Sequence, residues 1–402
     1  MARVLSVWEL GTGLGHIDRM LSVGRALRAR GHSVQFLLKD LSRAHLRMSV
    51  DEDWWFAQSP LWLPKLNNAP ALRNYTVVLA AAGWLNPVGL ASLLRAWRAS
   101  IELLKPDALV CDHAPTAMLA ARGLGIPVFS VGNSFEMPPA DTHFPPMAFW
   151  EPEEHRRCIG QDELLLGAAN QALAFLGDPP MHRLTDLFNG MQRCCMSLPE
   201  LAHYDGHAPG DLLGPAFVSD IGLAPTWPEA EGPRVFAYLA PSHAQFEPLT
   251  VALKALQWPT LIYAKGMSAE AAVRLGSASL HFETQPLHMD AVLADAQIAI
   301  SHGSVGTVTA AALAGVTQLA LPQQMEQWMV SRRIEQAGIG LYMKQDAKPP
   351  DWRALLKRLV QEPRFAAAAR ALATRHAGET PARAADRVVD RIEAVFNFPG
   401  AR

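Results

Sequence analysis

The stretch Ile298-Ala299-Ile300-Ser301-His302-Gly303-Ser304-Val305-Gly306-Thr307, followed by an alanine-rich run to Gly315 and then Thr317-Gln318-Leu319-Ala320-Leu321-Pro322, decides how this chain folds. Three apolar residues make a short buried strand, small residues make a turn, a helix runs to a glycine stop, and a second buried strand ends at proline. The turn delivers His302, two glycines and two hydroxyls to a helix start. Amides there have no intrahelical partner and carry the positive end of the helix dipole, which makes a seat for a phosphate or diphosphate.

The same alternation extends outward. Upstream in the same half the pattern predicts strands over 235–239, 260–263, 280–283 and 298–300, with helices over 248–256 and 289–294. At the N-terminus a strand over 4–8 meets the turn Gly11-Thr12-Gly13-Leu14-Gly15-His16, a helix over 17–30 stops at Gly31, and a strand follows over 34–38. A further unit has a strand at 108–111, a helix at 116–122, breakers Gly123 and Gly125, and a strand at 128–131. Such alternation predicts an α/β architecture of two doubly wound, Rossmann-like domains. The first spans 1–210 and the second 234–380. Between them, 211–233 is a Pro/Gly/Ala-rich linker. A final helix within 381–402, apolar along one face, is a candidate to pack back on the first domain.

Composition narrows the class. The 402 residues are 50% hydrophobic and 18% charged, ordinary for a soluble globular chain with material for two cores. A net charge of −2 with no Lys/Arg run offers no field for nucleic acid. Cys111, Cys158, Cys194 and Cys195 contain no CxxC pair, and adjacent cysteines bridge poorly, so a reducing, cytoplasmic setting is expected. The apolar run 4–10 is short and carries Glu9, unlike a signal peptide. Residues 74–94 are charge-free and long enough to cross a bilayer, but contain Asn86-Pro87 and two glycines. They read as buried or cleft-lining, with peripheral membrane contact left open.

Candidate chemistry gathers at strand ends. The glycine turn fails the GxGxxG spacing because His16 occupies the third glycine position, and Asp40, where a ribose-binding acid would sit, gains little from it. A plain tight turn is as good an account of the spacing. Asp112 follows the strand 108–111, and strand ends in a parallel sheet converge on one edge, so a His16–Asp112 pair is expected there. A carboxylate on one imidazole nitrogen leaves the other as a general base, and Asp112 could equally cap the next helix. Glu326-Gln327, after Pro322, can face sugar hydroxyls or simply solvent. Asp51-Glu52-Asp53 follows no buried strand; Trp54-Trp55 beside it suggests a loop or helix start, and no metal site is expected. Trp54, Trp55, Trp62, Trp84, Phe135, Met137, Phe144, Met147, Phe149 and Trp150 fit core packing for the most part, and also loops around an apolar molecule.

Together, the turn with His16, Asp112 before an alanine-rich helix and Gly125-Ile126-Pro127, and His302-Gly303-Ser304-Val305-Gly306-Thr307 through Gly315, Pro322, Glu326-Gln327 and Gly338-Ile339-Gly340 resemble the UGT-like nucleotide-sugar-dependent glycosyltransferases of the GT-B fold. The resemblance spans both domains and implies that they face a central cleft. It implies an inverting, metal-independent transfer, with no resident cofactor and a UDP- or dTDP-sugar as co-substrate. The partners implied are that donor and an apolar small-molecule or lipid acceptor. His16 matches the family's base and Asp112 its charge partner. His302, Gly303, Ser304, Gly306 and Thr307 match the diphosphate segment, and Glu326 and Gln327 the pair that holds donor-sugar hydroxyls. Leu287, within 286–289, falls where backbone reads the base, and Ser242 where a loop hydroxyl approaches phosphate.

Two positions depart from the family. Ala310 stands where many members carry a ribose-gripping Glu, and Thr317 replaces a usual proline. Ser304 and Thr317-Gln318 are similar instead to members acting on antibiotic-like aglycones, which often use dTDP-sugars, so UDP and dTDP are weighted equally. The rival readings are a GT-B sugar-nucleotide epimerase and a non-catalytic sugar-nucleotide-binding protein. An NAD-dependent oxidoreductase ranks last.

Overall fold

A computed structural model describes residues 1–45, 47–48, 52–62, 64, 72–139, 141–216, 222–343 and 350–396. The chain divides into two compact units, Met1–Phe217 together with Thr380–Arg402, and Val218–Glu379.

The first unit holds six parallel strands, β1 Arg3–Trp8, β2 Ser33–Leu38, β3 Trp55–Gln58, β4 Ala108–Asp112, β5 Val128–Gly132 and β6 Gln192–Cys195, in the order β3-β2-β1-β4-β5-β6. The second unit repeats the winding with β7 Val235–Tyr238, β8 Thr260–Tyr263, β9 Leu280–Glu283, β10 Ile298–Ser301, β11 Thr317–Ala320 and β12 Gly340–Tyr342, ordered β12-β11-β10-β7-β8-β9. Each is a Rossmann sheet. The central strands are buried along their length, as parallel strands covered by helices on both faces must be. Strand order reverses between β1 and β4 in the first sheet and between β7 and β10 in the second. Sheets of this winding bind ligands at that reversal, beyond the strand C-termini. Register brings the ends level: Trp8 pairs with Asp112, and Tyr238 with Ser301.

Several local expectations change. Trp55 opens the edge strand β3, paired with Gln35, and is not in a loop or helix start. The 211–233 segment docks at both ends. Leu212 bridges Cys195 in the first unit and Leu223 bridges Leu287 in the second. Residues 217–221 of it, like Asp51, lie outside the described residues. Among the aromatic and methionine residues, Trp54, Trp84, Met137, Phe144 and Met147 are buried core, whereas Trp55 and Trp62 are 44% and 38% exposed.

Residues 75–104 form a helix Tyr75–Leu79, a widened turn Ala80–Trp84, and a second helix Pro87–Leu104 whose first turn is capped by the Asn86 side chain on the Gly89 amide. The two arms bend by 83°, and no single helix among the described residues is long and apolar enough to cross a membrane. The last helix, Pro381–Phe396, belongs to the first unit and packs on the helix Gly15–Ala29. Val388, Val389 and Ile392 are buried in the same cluster as Ile17, Leu21 and Leu27. Arg30 reaches Asp390 at 2.5 Å and Glu393 at 3.0 Å, and the His32 ring meets Glu393 at 3.0 Å. This clamp steadies the helix that carries His16.

Candidate active site

In the first unit the turn between β1 and the helix Gly15–Ala29 needs glycine at Gly11 for two reasons. Its φ is +83°, and a Cβ there would stand 2.2 Å from His16 Nε2. The ring of His16 lies parallel to that of Trp8, with centroids 5.1 Å apart. Its Nδ1 lies 2.6 Å from Asp112 Oδ1, so Nδ1–H donates to the carboxylate and Nε2 carries the free lone pair over Gly11.

Asp112 does not cap the next helix. That task falls to Glu9, whose buried carboxylate accepts the Thr116 amide at 2.8 Å at the start of Pro115–Ala121. Burial pushes the Glu9 carboxyl up to about 7, against the pull of its hydrogen bonds to Thr116. Asp112 is thereby free to serve His16 and a residue absent from the sequence expectations, Arg19. The guanidinium donates from Nε to Asp112 Oδ2 at 2.7 Å, and from Nη2 to Asp112 Oδ1 at 2.6 Å and Glu136 Oε2 at 2.7 Å. Burial would raise the Asp112 carboxyl, but Arg19 and then His16 outweigh it and hold it below the usual aspartate range. Burial pushes the Glu136 carboxyl above the ordinary glutamate range, with Arg19 opposing the rise.

Each member has a local reason to be there. Arg19 stands one helical turn beyond His16 on the same face, a spacing visible in the sequence. Glu136 left no such signal. It enters from the loop after β5, where Gly132 makes room, since a Cβ there would stand 2.1 Å from Glu136 Oε2. The Asn133 amide donates to the same oxygen at 3.1 Å. Next to Asp112, His113 takes a φ of +43°, and its carbonyl accepts the Leu10 amide. Such strain in a non-glycine residue concentrates at functional positions. Burial keeps the His113 ring neutral, well below the ordinary histidine range.

Ligand atoms of His16, His113 and Glu136 lie within 4.8 Å of one another, a spacing a cation could use. Arg19 Nη2, within 3.2 Å of His16 Nδ1 and bonded to both carboxylates, already puts a positive charge in that place.

In the second unit β10 ends at Ser301, and the helix Val305–Leu313 begins at Ser304. Gly303 has φ +82°, and a Cβ on it would stand 2.6 Å from Ser331 Oγ and 3.3 Å from the Gln327 carbonyl. The turn thus packs against the helix Met325–Gln336 that carries Glu326 and Gln327. Ser304 Oγ donates to Thr307 Oγ1 at 3.1 Å and caps no amide. Gly306 lies in the first helical turn.

His302 Nε2 accepts the Ala240 amide at 3.1 Å, which assigns the ring hydrogen to Nδ1. Among the described residues that buried nitrogen makes no hydrogen bond of good geometry, although the Leu321 carbonyl lies close enough to the ring to oppose the fall in its basicity. Burial, reinforced by the neighbouring His243, lowers the ring to about 4, so at neutral pH His302 is an uncharged donor. Ser242 is exposed in the turn after β7, in the loop that bonds His302, and His243 beneath it packs on the His302 ring at 5.2 Å.

Leu287 is buried; its bridge to Leu223 uses the Pro286 carbonyl and the His288 amide. Glu326 and Gln327 occupy the first turn of their helix, half-buried, and Gln327 Oε1 accepts the Gln323 amide at 2.8 Å. Ala310 is buried in the apolar cluster that includes Leu287, Val292 and Phe236. Asp40 caps a short turn by accepting from Ser42.

Known proteins resemble this arrangement. Residues 283–394 match the family described as Erythromycin biosynthesis protein CIII-like, C-terminal domain. An uncharacterized glycosyltransferase of Methanosarcina acetivorans is 31% identical over 127 residues, which cover 32% of this chain and 31% of the relative. The chain thus spans about a third of the length of that relative. A PGL/p-HBAD biosynthesis glycosyltransferase of Mycobacterium tuberculosis is 25% identical over 396 residues, covering 92% of this chain and 88% of that one. In fold, the glycotransferase of kitacinnamycin superposes with TM-score 0.70 at 20% identity, covering 98% of both chains. The calicheamicin glycosyltransferase CalG4 gives 0.70 at 19%, covering 99% of both. VinC, in complex with dTDP, gives 0.66 at 17%, covering 97% of this chain and 100% of VinC. The fold is GT-B. In its C-terminal part the chain is similar to the erythromycin CIII-like family, and along its length to proteins named as glycosyltransferases.

Proposed function

We propose that the chain transfers a sugar from a UDP- or dTDP-sugar to a hydroxyl of an apolar small molecule or lipid, with inversion and without a metal. The observation that carries the proposal is the buried His16–Asp112 pair at the first sheet's reversal, 2.6 Å from nitrogen to oxygen. His16 Nε2 takes the acceptor proton as the acceptor oxygen bonds the anomeric carbon. The bond from that carbon to the diphosphate breaks, and the diphosphate leaves with the electron pair. A single base and direct displacement give inversion.

Leaving-group charge falls to the second unit. The amides at the start of Val305–Leu313 and the Nδ1–H of His302 are assigned as donors to the diphosphate, and fixed donors are most effective where charge develops. The neutral state of His302 means that hydrogen bonding, not a full positive charge, meets the diphosphate. Ser242 and the 286–289 backbone are assigned to phosphate and base, Glu326 and Gln327 to sugar hydroxyls. The dTDP on VinC and the natural-product names among the structural relatives support a thymidine donor and an apolar aglycone. Four buried free thiols suit a reducing, cytoplasmic setting.

The test is a thermal-shift panel of UDP, dTDP, GDP and their sugars, followed by transfer assays with the stabilising donor. A ligand at one hundred times its Kd stabilises the native state by about 2.7 kcal/mol. Stabilisation by none of the nucleotides overturns the donor assignment. A new epimer formed from donor alone favours epimerisation over transfer.

A further inference from the structure

A base that accepts a proton becomes an imidazolium and needs a negative charge beside it. Asp112 does not supply that charge by itself. Both of its oxygens are held by the Arg19 guanidinium, so the Asp112–Arg19 pair is neutral as a unit. The remaining negative charge in the cluster belongs to Glu136. Its Oε2 takes the same Arg19 Nη2 at 2.7 Å, and its Oε1 stands 3.9 Å from His16 Nδ1.

We propose that Glu136 is a positioning residue that supplies the counter-charge for the imidazolium formed on His16, with Arg19 coupling it to Asp112. The inference rests on the transfer reaction proposed above and deepens it. Two carboxylates against one guanidinium leave the cluster one net negative charge while His16 is neutral, and no net charge once it has accepted the acceptor's proton. Without Glu136 the cluster is neutral beforehand and carries an uncompensated positive charge afterwards, in a place where Asp112, Arg19 and Glu136 are all buried.

Other ionisable groups around the ring do not take this role. His113, from the end of β4, is held neutral by burial. Glu9, from the loop after β1, faces the Thr116 amide. Lys39 donates to the Gly11 carbonyl, and the Tyr75 phenol is pushed well above its usual range by burial.

The experiment follows the histidine ring signal that disappears in His16→Gln, recorded by NMR against pH in the full chain, alongside the pH profile of transfer. In Glu136→Gln, which keeps the shape and one acceptor oxygen for Arg19 and Asn133, the midpoint of that signal and the acid limb of the profile both move to lower pH. In Arg19→Met/Glu136→Gln, which restores one net negative charge through Asp112 alone, the midpoint returns toward wild type. An unmoved midpoint in Glu136→Gln overturns the proposal. Should the double variant fail to fold, Glu136→Asp decides. It keeps the charge, so its midpoint stays near wild type if the charge matters, and an equal displacement in Asp and Gln variants overturns the proposal. Absence of transfer in the wild type refutes the enzymatic reading, while the titration still decides the charge role of Glu136.

Discussion

His16 Nδ1 and Asp112 Oδ1 stand 2.6 Å apart, although 96 positions separate them in the chain. The helix Gly15–Ala29 brings one to the end of β1, and β4 brings the other beside it. With Arg19 holding the far side of Asp112, the carboxylate cannot rotate away and the imidazole is kept in one tautomer.

Removal of the base should therefore separate chemistry from binding. His16→Ala is expected to lower transfer by about 10²–10⁴ while nucleotide-induced stabilisation persists, because the proposed donor seat lies in the second unit. Asp112→Asn should lose activity as well, since an amide does not fix the tautomer. Steady-state kinetics and thermal shift on the same preparations check both. Full transfer by His16→Ala would refute the base assignment.

In the proposed reaction the neutral His302 ring donates its Nδ1–H to the diphosphate. His302→Phe keeps the ring and loses the hydrogen bond to a charged oxygen, a loss of about 1.5–3 kcal/mol, or roughly tenfold to a hundredfold in donor Kd. With the ring lowered to about 4, donor affinity should show no His302-linked step between about pH 5 and 8. Calorimetry across that range is the check. A step near pH 6.5 that disappears in His302→Phe contradicts the assigned state.

Gly303 combines a φ of +82° with a site where an added Cβ would stand 2.6 Å from Ser331 Oγ, so Gly303→Ala should cost about 1–3 kcal/mol and weaken nucleotide binding. Adding Ser331→Ala relieves the contact but not the backbone strain. Partial recovery of Tm in the double variant is expected, and full recovery would show that the φ carries no cost.

Glu9 sets a pH dependence of stability. Its folded carboxyl is raised from 4.5 to about 7, so between those values the folded state binds a proton that the unfolded state has released. Stability from this group is present below about pH 4.5 and falls as pH rises through 7, by about 3 kcal/mol across the window. Glu9→Gln keeps an oxygen for the Thr116 amide and should flatten that fall, read as Tm against pH. An unchanged slope would mean that Glu9 is ionised in the fold throughout.

The two alternating α/β halves were legible in the chain because a strand buried on both faces and a helix stopped by glycine leave local signatures. Strands β8 and β9 fall on the residues expected from the pattern alone. Edge strands β3 and β6 were not legible. Trp55, Phe56, Gln192 and Arg193 do not follow a buried run, and an edge position is defined only by the neighbour it pairs with. The apolar loop residues were ambiguous between core and pocket, since a side chain does not state what it will pack against.

Residue order alone determined where unpaired amides would occur, because a glycine turn before a helix leaves them so wherever it folds. It also determined that His16 would follow the glycine turn after β1 and that Asp112 would close β4. Only tertiary structure decided that Glu9 caps the helix in place of Asp112, that Arg19 binds two carboxylates, and that Glu136 arrives beside His16. Those outcomes depend on charges and volumes brought together from distant positions under burial, where each group's cost is set by its neighbours.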